Sequence, residues 1–448
     1  MKRLLAPPLF LMAAFLLAAV STPARAASIF PYRYDKKVLP NGLTVILIPL
    51  DSPGLVAYYS IVRTGSRDEV VPGRSGFAHF FEHMMFRGTQ KYPGPVYDRI
   101  VTAMGAKANA YTTDDYTAFH LNFAKEDLPR VMEIESDRFQ NLHYEKPAFQ
   151  TEAGAVYGEY RKGITQPFIL LNEKVQDLAF DVHPYKHTTM GFESDIKAMP
   201  EAYDFSLAFF RRFYRPENVV LVIAGDIDPA ATLALAAKYY GPWKPGYRAS
   251  QIPAEPPQKS PREGTVAYPG RTLPMLSISY KGEAFDPGNR LDMAADLLAE
   301  LAFGPNSRLY NKLVLDQQKV QALWSEAPRN RDPSLLEVGA IVKKESDLDD
   351  VRQEIYRTID EFQAQPVEQE KLDQLKRRDK YAFLMSLDTP EHVAEGLARF
   401  VALSGGIEVV DRYYEALERV TPADIREAAR KYLVPQRRTV VVLKGARS

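Results

Sequence analysis

No cysteine occurs among the 448 residues. Its absence excludes disulfides, thiolate nucleophiles and cysteine-ligated metal sites together, so any metal must be held by His, Asp or Glu. Charge of one sign is not in excess either, since 57 basic side chains face 57 acidic ones. A nucleic-acid binder normally carries a basic surplus or patch, and that class is set aside. Past residue 20 no apolar run reaches the length of a membrane span. Histidine is scarce, seven in all, so a cluster of histidines is informative. Core material is plentiful: 46% of residues are hydrophobic and 11% aromatic, too many for a disordered chain. The length fits two to three domains.

Residues 1–26 read as a secretory signal. Lys2 and Arg3 open it, an apolar run covers residues 4–20, and Ala24-Arg25-Ala26 matches a signal-peptidase site. The run is nearly long enough to span a bilayer, so a retained anchor is the alternative. Removing the three basic residues Lys2, Arg3 and Arg25 from the 57 leaves 54 against 57 acidic ones, a net charge of about −3. The expected location is the bacterial periplasm or the medium, where a cysteine-free chain needs no disulfide machinery.

The chain divides into two similar halves. Asn41-Gly42 is a turn signal before a β-rich stretch at 43–48, and 56–62 is a second strand candidate. Residues 76–86, 128–140 and 148–161 pattern as helices, and 111–123 as one alternating strand. A buried strand at 219–225 closes this half. Residues 246–270 are proline-rich and read as a linker. A strand at 276–280, helices at 291–303, 348–364 and 368–384, and a last strand at 440–443 follow. Phe213-Tyr-Arg-Pro216 leading into a valine-rich strand is echoed by Lys431-Tyr-Leu-Val-Pro435 before the last strand, a faint duplication signal. The expected fold class is α+β: two related domains, 28–245 and 271–448, each a mainly antiparallel sheet with helices packed on it.

Two histidines stand in Gly76-Phe-Ala-His79-Phe-Phe-Glu82-His83-Met-Met-Phe-Arg-Gly88. On a helix His79 and His83 lie on one face, and Glu82 shares it. Phe80, Phe81, Met84 and Met85 are core-type residues on the other side. Two neutral imidazoles beside a carboxylate suit a catalytic Zn2+, with the carboxylate as base for a water at the metal. The order His-x-x-Glu-His is the inverted zinc-peptidase signature. A third protein ligand is still needed, and without cysteine it must be a carboxylate. Glu152 and Glu159, seven apart in a helical stretch and on the same face, are the candidates.

With these residues in view the chain resembles the pitrilysin (insulinase) family of inverted-motif zinc peptidases, and among them bacterial members similar to the mitochondrial processing peptidase. In that family the third ligand is a Glu about 76 residues after the second His, and Glu159 is 76 residues after His83. A family Glu seven residues earlier helps orient the site, and Glu152 matches it. Asn41-Gly42-Leu43, Gly65-Ser-Arg-Asp68, Asn109-Ala-Tyr-Thr112, Asp137-Arg138 and His183-Pro-Tyr185 match as well. The resemblance implies zinc held by His79, His83 and Glu159, with Glu82 moving the proton in peptide hydrolysis. It implies a substrate-binding edge strand at Asn109 and Ala110, to which extended peptides add by main-chain hydrogen bonds. It also implies that the two domains form half of a clamshell.

One feature departs from the family. Active single-chain relatives carry an Arg and a Tyr seven residues apart in the second half, where this chain has Val314 and Gln321. With Phe86 set against Phe303, Asp296, Ala299 and Glu300 fall opposite His79, Glu82 and His83, so the second half reads as a degenerate copy. The expected protein is therefore a zinc endopeptidase acting on peptides or unfolded segments, with a homologous partner subunit (a heterodimer) or a second copy (a homodimer) supplying the missing groups. The competing class is a non-catalytic structural or binding subunit. His120, His143, His187 and His392 have no ligand-like spacing, and His183 to Tyr185 reads as a loop brace.

Overall fold

The computed structural model describes residues 28–446; the leader reading of residues 1–26 lies outside them. The first sheet holds β1 (Asp35–Val38), β2 (Thr44–Pro49), β3 (Leu55–Val62), β4 (Lys107–Thr112), β5 (Thr117–Ala124) and β6 (Val219–Gly225), in the order β1-β2-β6-β3-β5-β4. The second holds β7 (Arg262–Tyr268), β8 (Met275–Lys281), β9 (Val320–Glu326), β10 (Leu335–Val342) and β11 (Arg438–Gly445), in the order β7-β11-β8-β10-β9. Only β2 with β6 and β7 with β11 run parallel. Without β1 the two orders match strand for strand, β2 with β7, β6 with β11, β3 with β8, β5 with β10 and β4 with β9. The α+β expectation and the faint duplication at the two closing strands are both met in this topology.

The helices of the first half are α1 (Phe77–Met84), α2 (Gly94–Ala103), α3 (Leu128–Asn141), α4 (Lys146–Gly163), α5 (Pro167–Ala179), α6 (Glu193–Ala198), α7 (Tyr203–Phe213) and α8 (Pro229–Tyr240). Those of the second are α9 (Arg290–Phe303), α10 (Arg308–Tyr310), α11 (Leu348–Ala364), α12 (Gln369–Ser386), α13 (Pro390–Ser404), α14 (Glu408–Glu418) and α15 (Pro422–Tyr432). None is long and apolar enough to cross a membrane among the described residues.

Strand alternation sorts the first sheet's side chains between two cores. Val45, Leu47, Tyr58 and Leu221 join Phe77, Phe80 and Phe81 of α1, Val131 of α3 and Phe209 of α7 on one face. Ile46, Ile48, Tyr59 and Val222 join Leu397 and Val401 of α13 on the other. Both faces are covered, which is why all seven residues of β6 are buried and read as one unbroken apolar run. The second sheet is dressed reciprocally. Leu276, Ile278, Val338 and Val440 face the core shared with α9, α11 and α13, while Met275, Val441 and Leu443 pack on Leu171 and Val175 of α5. Each half thus lends one helix to the other's sheet.

Two element assignments differ from the sequence reading. Residues 111–123 are not one strand: the turn at 113–116, closed by Thr113 N–H donating to Tyr116 O at 2.8 Å, splits them into β4 and β5. Thr113, Asp114 and Asp115 are turn formers, and the continuous aromatic alternation hid them. The far end of the 246–270 stretch is not free linker, because β7 pairs along its full length with β11. Gly264 and the single-sided burial of an edge strand weakened its strand signal.

Candidate metal centre

α1 begins where Gly76 takes a left-handed φ of 88°, and a Cβ there would meet Met190 O at 2.5 Å. The buried carboxylate of Glu69 closes the helix start, accepting from the N–H groups of Gly76 at 2.7 Å and Ala78 at 2.6 Å. It satisfies two donors that a helix N-terminus leaves unpaired. Phe77, Phe80, Phe81 and Met84 hold one face in the core, with Phe81 stacked on Phe209 at 5.2 Å. Each such ring contributes about 1.5–3 kcal/mol by burial. The opposite face carries His79, Glu82 and His83. α4 runs across it, anchored by Phe149, Ala153 and Val156, and presents Glu152 and Glu159.

His79 Nε2 lies 3.8 Å and His83 Nε2 3.2 Å from the same Glu159 oxygen. Zinc–ligand bonds of about 2.0–2.1 Å at a tetrahedral centre put donor atoms about 3.3 Å apart, so this triangle has the right size. Among the described residues these three side chains are the one group close enough to hold an ion, with donor atoms all within 4.8 Å. Their chemistry also fits. Burial, aided by the neighbouring His83, pushes His79 down to about 4, so its ring is neutral and carries a lone pair. His83 Nδ1 sits 2.9 Å from Glu152 Oε1, which leaves Nε2 facing Glu159 as the acceptor nitrogen.

Glu152 is 4% exposed. Burial works to raise its pKa, but the hydrogen bonds from His83 and Arg87 outweigh burial and hold it below the usual carboxylate value. The same His83–Glu152 hydrogen bond raises the His83 pKa against the opposing effect of burial. Arg87, on the free oxygen of Glu152, escaped the sequence reading. Its position four residues after His83, at the end of the 3-10 turn Met85–Arg87 that continues from α1, was the available signal.

Glu82 is adjacent. Burial raises its pKa, countered by a hydrogen bond from Thr112 Oγ1 to its Oε2 at 2.6 Å. Thr112 ends β4, an outer strand of its sheet that pairs only with β5. Asn109 is exposed on this strand, whereas the Ala110 side chain is 8% exposed and belongs to the core. Of the other histidines, His120 stacks on Tyr59 at 4.8 Å and His143 and His392 are exposed. His183 does brace its loop: its Nδ1 accepts from Tyr185 N–H at 3.0 Å.

The equivalent helix of the second half, α9, holds no such set. Asp296, opposite His79, is engaged by Arg329 at 3.1 Å and Tyr413 at 3.2 Å. Val314 lies in a π-helical turn, Asn311–Asp316, and Gln321 is exposed on β9.

Two family models match in tandem. The model of the insulinase (M16) peptidase family covers residues 55–193, and that of the M16 inactive domain covers 203–378. The chain belongs to the M16 family. It is 26% identical over 445 residues to the zinc protease PqqE of Helicobacter pylori, covering 97% of each chain. It is 23% identical over 406 residues to the mitochondrial-processing peptidase subunit beta of Lentinula edodes, covering 88% of this chain and 86% of that one. The crystal structure of a protease from Helicobacter pylori superposes with a TM-score of 0.86 at 25% identity, over 92% of this chain and 99% of that one. The gap between the two models takes in nearly all of α6 and ends where α7 begins, so the inactive-domain model takes in β6 of the first sheet.

Proposed function

We propose that this protein is a zinc-dependent endopeptidase that hydrolyses peptides or unfolded segments, exported to the periplasm after cleavage near Ala26. The observation that carries the proposal is the convergence of His79, His83 and Glu159 on one point with Glu82 beside them. His79, His83 and Glu159 would hold the ion, and Glu152 fixes the His83 ring. Zinc, when bound, supplies a Lewis acid that acidifies a water and polarises the scissile carbonyl. Glu82 Oε1, left free while Thr112 occupies Oε2, takes the proton of the attacking water and delivers it to the leaving amine nitrogen. Its raised pKa brings it nearer the pH at which a base both accepts and releases a proton. The free edge of β4 from Asn109 to Thr112 receives the substrate as an added strand, whose main-chain hydrogen bonds tolerate many sequences.

Val314 and Gln321 stand where active single-chain relatives are expected to have Arg and Tyr, so a homologous partner subunit or a second copy would supply substrate-binding groups. The relative named a subunit of the mitochondrial-processing peptidase supports that division. The test is Glu82→Gln with metal analysis, on the chain alone and with its co-purifying partner. The variant is expected to keep about one zinc per chain and to lose peptidase activity by a factor on the order of 10²–10⁴. Undiminished activity would end the proposal. Zinc bound, but no hydrolysis by the wild type with any partner, would favour a non-catalytic binding subunit instead.

A further inference from the structure

The turns β4–β5 (residues 113–116) and β9–β10 (residues 327–334) are equivalent in the two sheets, and they meet. Asp114 and Asp115 sit side by side on the first turn, where two adjacent carboxylates would ordinarily face water. Asp115 is 3% exposed instead. Its Oδ1 accepts from Tyr185 Oη at 2.8 Å and its Oδ2 from the Arg331 backbone N–H at 3.0 Å. Asp114 Oδ1 accepts from Ser66 Oγ at 3.0 Å and its Oδ2 from Asn330 Nδ2 at 3.4 Å. Asp332 takes His183 Nε2 at 3.0 Å and Arg67. The Arg331 guanidinium reaches Arg63 O at 3.1 Å and Ala402 O, at the end of α13, at 2.8 Å. The chain before α1 closes in on the same turn: a Cβ on Gly65 would meet Thr113 O at 2.3 Å.

We infer that residues 330–332 of the second half are positioning residues for the reaction, holding the β4–β5 turn so that Thr112 keeps Glu82 and the substrate edge in register. This rests on the reading of Glu82 as the base. A buried carboxylate such as Asp115 is costly unless every oxygen is partnered, so the turn keeps its place only while the second half adds the Arg331 N–H and Asn330 to the first half's Tyr185 and Ser66. Thr112 precedes the turn and bonds Glu82. Thr117 follows it and donates to Thr64 O at 3.1 Å. A shift of the turn therefore moves the base and the edge strand together. The half without a metal cluster contributes to catalysis by this contact as well as by packing.

The test uses Tyr185→Phe and Asn330→Ala, each removing one donor to the turn, in the chain with whatever partner gives full activity. The measurements are zinc content, kcat and KM on a fluorescence-quenched peptide of about ten residues. Each variant is expected to keep its zinc and to lose about tenfold in kcat/KM, the usual consequence of leaving one buried polar group unpaired. In a Thr112→Val background the same changes are expected to have little further effect on kcat, because they act through that residue. Wild-type kinetics in Asn330→Ala, whatever Tyr185→Phe does, or losses that multiply fully with Thr112→Val, would overturn the inference. Amide exchange is an independent readout should Tyr185→Phe not fold. Asn330→Ala should speed exchange over residues 107–117 and leave Val219–Gly225 unchanged, and equal exchange in both segments of variant and wild type would also overturn it. Glu82→Gln run alongside separates the two claims, since activity in that variant defeats the proposed function whatever the turn variants do.

Discussion

The replacement Glu152→Gln isolates how the proposed metal ligands are held. Glu152 is buried, and each of its oxygens faces a donor: Oε1 meets His83 Nδ1 at 2.9 Å and Oε2 meets Arg87. Glutamine keeps the shape but has one acceptor where the carboxylate has two, and it turns an N–H toward one of those donors. Losing a charge-assisted hydrogen bond of this kind costs about 1.5–3 kcal/mol. Part of that cost falls on His83, whose ring is then free to rotate or to change tautomer. Outer partners of metal-binding histidines typically contribute 10–100-fold to affinity, so zinc affinity should fall by that factor, about 1.4–2.7 kcal/mol. Competition with a chromophoric chelator at fixed pH measures it directly. With zinc in excess, peptidase activity should recover much further than in Glu82→Gln, because Glu82, the proposed base, is untouched. Arg87→Ala, which removes only the outer partner, should cost less. A folded Glu152→Gln protein whose zinc affinity stays within threefold of wild type would refute the argument that Glu152 positions His83.

Glu69→Gln tests the closure of α1. Burial lifts the Glu69 pKa from 4.5 to about 8 in the fold. The folded state thus holds a proton that the unfolded chain releases, and stability falls as pH climbs from about 4.5 to about 8, by about 1.4 kcal/mol per pH unit from this group. The variant lacks that slope but turns an amide N–H toward one of the two backbone donors, a loss present at every pH; in urea unfolding its stability relative to wild type should therefore rise by a few kcal/mol between about pH 5 and pH 8. An unchanged difference between the two pH values would contradict this. Leu397→Ala in α13 empties part of the core beneath the first sheet. It should cost about 2–5 kcal/mol and should lower zinc occupancy at high temperature, although Leu397 lies in the half without the metal cluster. A loss under 1 kcal/mol, or protection of β3 and β6 against amide exchange equal to wild type, would show that α13 is not needed there.

The elements legible in the sequence were those that carry their own periodicity and end signals. The helix at 348–364 coincides with α11, and the histidine helix, the 128–140 helix and the closing valine strands are recovered within about three residues. For these, periodicity and end signals suffice. The His-x-x-Glu-His order specifies its own geometry because one helix turn carries both imidazoles. Glu159 is a different case. Nothing in its own stretch separates it from Glu152, and the assignment came from family spacing. The structure separates the two by burial, since Glu152 is 4% exposed behind His83 while the Glu159 side chain is half exposed and faces both Nε2 atoms. No element was read at Pro167–Ala179 or Pro390–Ser404. These are α5 and α13, the two helices that cover the opposite half's sheet. An amphipathic stripe states that a helix must be covered but not by which sheet, and a duplicated chain offers two.

That exchange of helices bears on why a degenerate half persists. In the first half, His79 is 7% exposed and its Nδ1 has no hydrogen-bond partner. A buried ring nitrogen left without a partner is a cost to the fold. In the second half the corresponding position is Asp296, whose carboxylate is engaged by Arg329 and Tyr413. The second half thus holds a satisfied set where the first holds an open one. It is not free to lose α13, the strands that α5 covers, or the turn that partners Asp114 and Asp115. What it keeps is the part of the fold on which the first half depends for its core and for the donors to Asp114 and Asp115.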